Sequence, residues 1–522
     1  MIRFRSPIGS VCLDVRNGQL WKGDVGQEAV RLTERPLAVL CYLAERPGDK
    51  ISREQILRDV WPSDGTDVNN NSIDSAVTKI RAALGDQVDP HRVIQTLRGY
   101  GYRFIALVES EDDPLPGVRQ ELATGPLQIY YQDTDLRAHN LFRYSFSIND
   151  RHIFTDIATS KSWLSIAIPI RSKGDGQFTL LESSHNPWYS VPANEVELLA
   201  KKVRARGIRF ENRPIYSLRS FVPGQKQIAS FSVGQYADYK IEMGGLEDET
   251  NRAAAEIARI PNVHRDQLRS IMPLREKLLP TSKTVAQFPN RLCAGGTNIL
   301  LAFRTPNRDD YMFFIKQRSA SVSSGRLVQS LIPSGMHQPS TWFVTREETS
   351  IGATVYREMD EELFGGDEPN PDDKGIQPLQ FMSLPHIAWF RENPKAFTLE
   401  IVSFGLNLVD GTFEFGVLLA IHDPSYWAKC ADQESTDDWR LKPNFEVIRD
   451  IEGDFYTHDT KRLAAFKTQA PFFTNDTSRL VSVMTGRQCA DVSLIALIEG
   501  LRRLHTLQPG RVKLPPTLRL SQ

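Results

Sequence analysis

Thr96-Leu97-Arg98-Gly99-Tyr100-Gly101-Tyr102-Arg103-Phe104 reads as a β-hairpin whose turn is punctuated by glycine. Gly99 and Gly101 permit positive φ, and with it a tight turn between two short strands. Arg98, Tyr100 and Tyr102 crowd hydrogen-bond donors and aromatic rings onto that turn. A turn of this composition suits a phosphate backbone or a minor groove. The stretch marks the first part of the chain as a candidate nucleic-acid contact.

Outward from the hairpin, residues 1–106 read as one module. Val11–Val15, Leu20–Lys22 and Ala29–Leu32 alternate like short antiparallel strands, with a turn signal at Asn17-Gly18. A first helix is expected from Pro36 through Cys41 to Arg46, behind Thr33 and stopped by Pro47-Gly48. Ser52 and Gln55 have the spacing of a capping box for a second helix that ends near Trp61-Pro62. A polar loop, 63–70, leads to a third helix, Ser72–Leu84, closed by Gly85. On that helix Ile73, Val77, Ile80 and Leu84 recur at helical spacing and predict a buried stripe. Ser75, Thr78, Lys79 and Arg81 then face outward.

Strands, three helices and a final hairpin, in that order, resemble the winged-helix effector domain of OmpR/PhoB-type response regulators. The residues that carry the resemblance are Leu32-Thr33, Leu37, Leu40, Pro47-Gly48, Ile51-Ser52-Arg53-Glu54 and Val60-Trp61. They continue with Asn71-Ser72-Ile73-Asp74, Lys79-Ile80-Arg81, Leu84-Gly85 and Ile94 through Tyr102. The resemblance implies binding to double-stranded DNA. The third helix would enter the major groove, where Lys79 reaches guanine acceptors and Ser75 and Thr78 make shorter contacts. Arg81 is placed for a phosphate, and Thr96, Arg98 and Tyr102 make up the contacting wing. Thr78 and Ala82 stand where many members carry arginine. Loop 63–70 corresponds to a segment that touches RNA polymerase in some members. A homodimer on repeated half-sites is the expected assembly. No phosphoacceptor receiver precedes the winged helix, so control is expected from the C-terminal regions or a partner. The absence of a long apolar helix sets the chain apart from membrane-anchored ToxR/CadC-type regulators.

The 522 residues suggest about three domains. Net charge is −1, and acids and bases also nearly balance within the first hundred or so residues, so DNA affinity must come from a local arrangement of charge. The five cysteines lie far apart with no metal-ligand spacing, which argues against a disulfide framework and structural zinc. The N-terminus lacks a signal-peptide core, and no apolar run approaches the roughly 20 residues of a membrane span. A cytoplasmic protein with no membrane contact is expected.

Beyond an acidic linker at 107–126, the expected organisation is a mixed α/β region at 127–285, a second region at 286–507 and a flexible tail at 508–522. Strand-like runs occur at Leu127–Tyr131, Trp163–Pro169, Thr297–Phe303, Tyr311–Ile315, Phe397–Leu408 and Phe413–Ile421. Helix-like runs occur at Glu195–Ala205, Arg252–Ile260 and Val492–Leu504. The chemistry is densest at Arg357-Glu358-Met359-Asp360-Glu361-Glu362-Leu363-Phe364-Gly365. On a helix Glu358, Glu361 and Glu362 would share a face, and clustered carboxylates suit Mg²⁺ or Mn²⁺. The stretch resembles half of a Nudix box, preceded by Gly296–Leu300, Phe313–Arg318 and Ile332-Pro333-Ser334-Gly335. It departs from the box at Thr349, where the family places a glutamate, and at Gly365, one residue late. The fold class expected for the whole chain is therefore α+β and multidomain: a winged helix-turn-helix, a mixed α/β region and a Nudix-like α/β/α region. The Nudix-like region is expected to sense a nucleotide-type ligand. Two alternatives stay open: a metal-dependent hydrolase of a nucleoside diphosphate derivative, and a stress or defence scaffold.

Overall fold

The architecture comes from a computed structural model. It describes residues 2–6, 9–14, 19–22, 28–44, 46, 51–60, 70–87, 91, 93–97, 100–106, 108–109, 125–171, 176–181, 194, 196–198, 200–201, 212–257, 263–317, 329–342, 344–366, 377–431, 439, 441, 472–485 and 489–520. The chain divides into two compact units. One holds 1–116, 192–211 and 319–326; the other holds 117–191, 212–318 and 327–522.

The first unit begins with strands β1 (Ile2–Ser6), β2 (Gly9–Asp14), β3 (Gln19–Lys22) and β4 (Glu28–Ala29). Together with β8 (Val108–Glu109) they form one antiparallel sheet in the order β4-β3-β2-β1-β8. Helices α1 (Glu34–Ala44), α2 (Arg53–Val60) and α3 (Asn70–Ala83) follow, with the two-residue strand β5 (Ile51–Ser52) before α2. Strands β6 (Ile94–Leu97) and β7 (Gly101–Phe104) make the hairpin, and β5 pairs with β7 to give a three-stranded wing. The expected capping box is present: the Gln55 amide donates to Ser52 Oγ at 3.1 Å, and the Ser52 amide to Gln55 Oε1 at 2.8 Å. The predicted stripe of α3 is buried at Ile73, Val77, Ile80 and Leu84, each at 0% exposure. Such side chains contribute about 1.5–3 kcal/mol apiece. They meet Val39, Leu40 and Leu43 of α1 and Phe104 of the wing in one core. Strand β1 lies beyond the strands expected from sequence. The Asn17-Gly18 turn and the polymerase-type loop 63–70 fall almost wholly outside the described residues.

Among the described residues, the second unit is built on a ten-stranded mixed sheet. Its strands are β9 (Phe142–Ile148), β10 (Arg151–Thr159), β11 (Leu164–Pro169), β15 (Gly295–Arg304), β16 (Tyr311–Phe313), β19 (Ser334–Met336), β20 (Phe397–Asn407), β21 (Phe413–Ile421), β22 (Phe472–Phe473) and β23 (Arg519–Leu520). Strands β12 (Phe178–Leu180), β13 (Pro214–Phe221) and β14 (Ala229–Gln235) form a small second sheet, and β17 (Ile315–Gln317) pairs with β18 (Gln329–Leu331).

At the centre of the large sheet β15 runs parallel to β21 and β20 antiparallel to it. Successive residues of β15 serve opposite faces. Ile299, Leu301 and Phe303 join one core, with Ile351, Val355 and Met359 of the helix Ile351–Met359. Leu300 and Ala302 join the other, with Leu494, Leu497 and Leu501 of the helix Asp491–Leu507. The result is helix, sheet, helix.

Sequence expectations meet this unit unevenly. The 127–285 and 286–507 stretches share one sheet, since β10 pairs with β20. The run Leu127–Tyr131 lies mostly in a helix, Pro126–Tyr130, because Pro126 fits its first turn and Gln128 caps back to the Gly125 amide at 3.1 Å. The segment expected as a flexible tail packs instead: Val512 is buried and Arg519 pairs with Ser147. Of the helix expected at Glu195–Ala205 only fragments fall within the described residues. Among the described residues no helix is long and apolar enough to cross a membrane. All five cysteines are free thiols.

His337, fully buried between the rings of Tyr216 and Phe231, adds a pH dependence. Burial and then the Arg357 guanidinium push its pKa down from 6.5 to about 3. Below pH 6.5 the unfolded chain binds a proton that the folded chain refuses, so this contribution is complete above 6.5 and is lost as pH falls. By about pH 5 the loss is on the order of 2 kcal/mol. Urea unfolding of the second unit should show a pH slope that climbs from about a quarter of a proton at pH 7 to nearly one proton by about pH 5. His337→Asn should flatten that slope, and an unchanged slope would exclude His337 as its source.

Candidate nucleic-acid interface

The outward face of α3 is where the sequence placed it. Ser75, Thr78 and Lys79 are exposed, and each turn of the helix sets them opposite the buried Ile73–Ile80 stripe. Thr78 donates its hydroxyl back to the Asp74 carbonyl at 2.8 Å, which turns its methyl group and remaining lone pair outward. Lys79 supplies an ammonium on the same face. These side chains can meet base edges or phosphates without rearranging the core.

The wing adds an exposed ring. The Tyr100 amide closes the turn onto Leu97 O at 3.0 Å, and the Tyr100 side chain stands 48% exposed. Thr96 is exposed on β6. Arg98 lies outside the described residues. Gly101 is required by close approach, since a Cβ there would sit 2.0 Å from the carbonyl oxygen of Ile51.

Two residues expected to touch DNA are turned inward. Arg81 donates to Ile94 O at 2.7 Å and to Thr96 Oγ1 at 2.8 Å, so its guanidinium ties the end of α3 to the wing. Tyr102 is 3% exposed, and its hydroxyl donates to Asp74 Oδ1. Burial, then the bond to Asp74, pushes the Tyr102 hydroxyl up to about 12, so it remains a neutral donor. Arg53 reaches the same Asp74 oxygen at 3.1 Å and the Tyr102 hydroxyl at 3.4 Å. In the sequence, Arg53 and Asp74 stand out only as carriers of the resemblance. Asp74 lies 21 residues from Arg53 and 28 from Tyr102, and no local pattern announces the cluster.

Asp86 completes the corner between α3 and β6. Its buried carboxylate accepts from the Val93 amide at 2.9 Å and the Ile94 amide at 3.4 Å. The interface is thus braced at both ends of α3.

The carboxylates in the second unit are arranged differently from the sequence expectation. Glu358 is 7% exposed and pairs with Arg357 at 2.7 Å; Glu361 pairs with the same guanidinium at 3.4 Å. Glu362 accepts from the Ser334 amide at 3.0 Å. Gly335 leaves room for the Glu358 carboxyl group, which a Cβ would meet at 2.0 Å. The protein itself therefore engages all three side chains, Glu358 and Glu361 through the Arg357 guanidinium and Glu362 through the Ser334 amide. Among the described residues no group of three or more acidic, histidine or cysteine side chains is placed to hold a metal ion. The donor set does not fit Mg²⁺ or Mn²⁺, because a cation would have to displace Arg357.

Comparisons with known proteins bear on the first unit. Residues 26–104 match the family described as "Transcriptional regulatory protein, C terminal". They are an OmpR/PhoB-type winged-helix DNA-binding domain. A cholera toxin homolog transcriptional activator of Vibrio parahaemolyticus is 30% identical over 96 residues, 18% of this chain and 33% of that protein. The transcriptional regulatory protein AfsQ1 of Streptomyces coelicolor is 38% identical over 76 residues, 15% of this chain and 33% of that protein. HprR of Escherichia coli is 34% identical over 79 residues, 15% of this chain and 34% of that protein. The chain thus spans about a third of the length of these relatives. Among solved structures, the Klebsiella pneumoniae RstA DNA-binding domain in complex with RstA box is 29% identical, with 20% of this chain and 95% of that one covered and a TM-score of 0.16. The DNA-binding domain of Bacillus subtilis CssR is 23% identical, with 18% and 99% covered and a TM-score of 0.15.

Proposed function

We propose that this chain is a cytoplasmic transcriptional regulator that reads double-stranded DNA with α3 and the β6–β7 wing. The observation that carries the reading is the exposed Ser75–Thr78–Lys79 face standing beside an exposed Tyr100 wing tip, both braced from behind. The relatives matched by residues 26–104 are transcriptional regulators by name, which supports the same reading. Binding as a homodimer on repeated half-sites, with contact to RNA polymerase through 63–70, belongs to this proposal.

The second unit acts as the sensor in this scheme. Its helix–sheet–helix layering, with Gly335 against Glu358 and Arg357 clamping two glutamates, supports a Nudix-like region that has kept its shape. Carboxylates already paired to protein donors favour recognition of a nucleotide-type ligand over metal-dependent hydrolysis. A thermal-shift series with nucleotides, with and without Mg²⁺, separates the two. A ligand that stabilises without turnover supports the sensor, because binding to the folded state raises its stability.

The DNA reading is tested by selecting bound duplexes from a random library and measuring affinity across a salt series. Lys79→Ala and Arg98→Ala should each weaken specific binding about tenfold or more while leaving thermal unfolding unchanged. A phosphate-contacting side chain should also lower the log–log salt slope by about 1. Retention of specific binding by both variants would remove this surface from consideration.

A further inference from the structure

From the geometry around Asp74 we infer that Arg53 and Tyr102 are positioning residues for DNA recognition, which neutralise a carboxylate on the reading face of α3 and lock that helix to the wing. The inference rests on the DNA-reading role proposed above for α3.

Asp74 occupies an awkward place for a DNA-binding helix. It lies one turn before Thr78 on the exposed side of α3, and its own side chain is 49% exposed. An unpaired carboxylate there would face the phosphates that supply most of the affinity of a DNA-binding protein, and like charges repel. The fold answers with three donors on one oxygen. Arg53 Nε and Nη2 reach Asp74 Oδ1 at 3.2 and 3.1 Å, and the Tyr102 hydroxyl donates to the same atom. Arg53 also lies over the Tyr102 ring, 5.0 Å from its centroid, and its side chain is 17% exposed. The three residues come from three elements: α2, α3 and β7. Arg81, bonded to β6 at the other end of α3, makes the second tie. Helix and wing are therefore held as one body, and the angle between major-groove and minor-groove contacts is set before DNA arrives.

Neutralising Asp74 has a consequence that simple bracing lacks. The effect of the Asp74 charge on DNA binding should depend on whether Arg53 is present. In the full chain, Arg53→Met should weaken binding to a library-selected duplex about tenfold at low salt, as an exposed negative charge meets the phosphates. Asp74→Asn alone should change affinity less than about twofold, because the charge it removes is already covered. In the Arg53→Met background the same Asp74→Asn change should restore affinity by about tenfold. Tyr102→Phe keeps the ring in the core and removes only the hydroxyl. It should cost about threefold in affinity with little change in melting temperature, and that cost should disappear when Asp74 is Asn.

Equal effects of Asp74→Asn in the two backgrounds would overturn the inference and leave Arg53 as a direct phosphate contact or a purely structural residue. A wild-type chain that selects no specific duplex would overturn the proposed function and this inference together. Specific binding by the wild type without rescue in the double variant would overturn this inference alone.

Discussion

Gly101→Val is expected to unfold the wing and abolish DNA binding with it. The Cβ of any other residue at 101 would lie 2.0 Å from the Ile51 carbonyl oxygen and 2.9 Å from the Ser52 Cα. Both atoms are backbone, so no side chain can swing aside. Strand β7 is also fixed on its other edge, where Thr96 and Leu97 of β6 pair with Tyr102 and Gly101. Relief therefore requires breaking the β5–β7 pairing of Ile51 with Tyr102 and Ser52 with Gly101. That pairing anchors the start of α2, since the Arg53 amide donates to Tyr100 O at 3.2 Å. The cost should exceed the about 1–3 kcal/mol of an ordinary overpacked core site, a large part of the stability of a small domain. Hydrogen exchange on the full chain would show protection lost across residues 51–60 and 93–106. Normal protection there, with DNA binding intact, would mean that β5 can retreat at little cost.

What was legible in the sequence is what depends on neighbours along the chain. The Ser52–Gln55 box and the Ile73–Leu84 stripe follow from spacings of three and four, and both are present. Residue type alone directs Arg81 and Tyr102 at DNA, and a cation or a tyrosine near a hairpin looks the same whether it faces solvent or core. Their partners, Ile94 O and Asp74, lie 13 and 28 residues away, and only the folded chain brings them together. The second unit was harder for the same reason. The fully buried Arg275 bonds Leu408 O at 2.6 Å, from 133 residues away. Strand β23 returns to β9 across most of the chain. A carboxylate triplet at helical spacing was legible as a cluster, but its charge partners were not. Arg357, immediately beside it, reaches the 336–338 segment as well.

Arg357→Ala is therefore expected to destabilise the second unit strongly. The Arg357 side chain is 4% exposed and donates to Gln338 O at 2.6 Å, Met336 O at 2.8 Å and Glu358 Oε1 at 2.7 Å. Its Nε lies 3.4 Å from Glu361. Truncation would strand two carbonyls and two carboxylates, whose side chains are 9% and 15% exposed. Removing one partner of a buried pair costs about 3–5 kcal/mol, because the remaining charge stays desolvated without compensation. Arg357→Lys keeps the charge but has no planar fork, so it should recover only part of the loss. Urea unfolding of the full chain measures both. Adding Mg²⁺ to the alanine variant then asks what the glutamates can do once freed. If their placement is structural, millimolar Mg²⁺ should restore little of the lost stability, since the carboxylates were set by the guanidinium and by the Ser334 amide. Full restoration by Mg²⁺ would mean that Arg357 occupies a cation's place, and would move the second unit from the sensor reading towards a metal-dependent one.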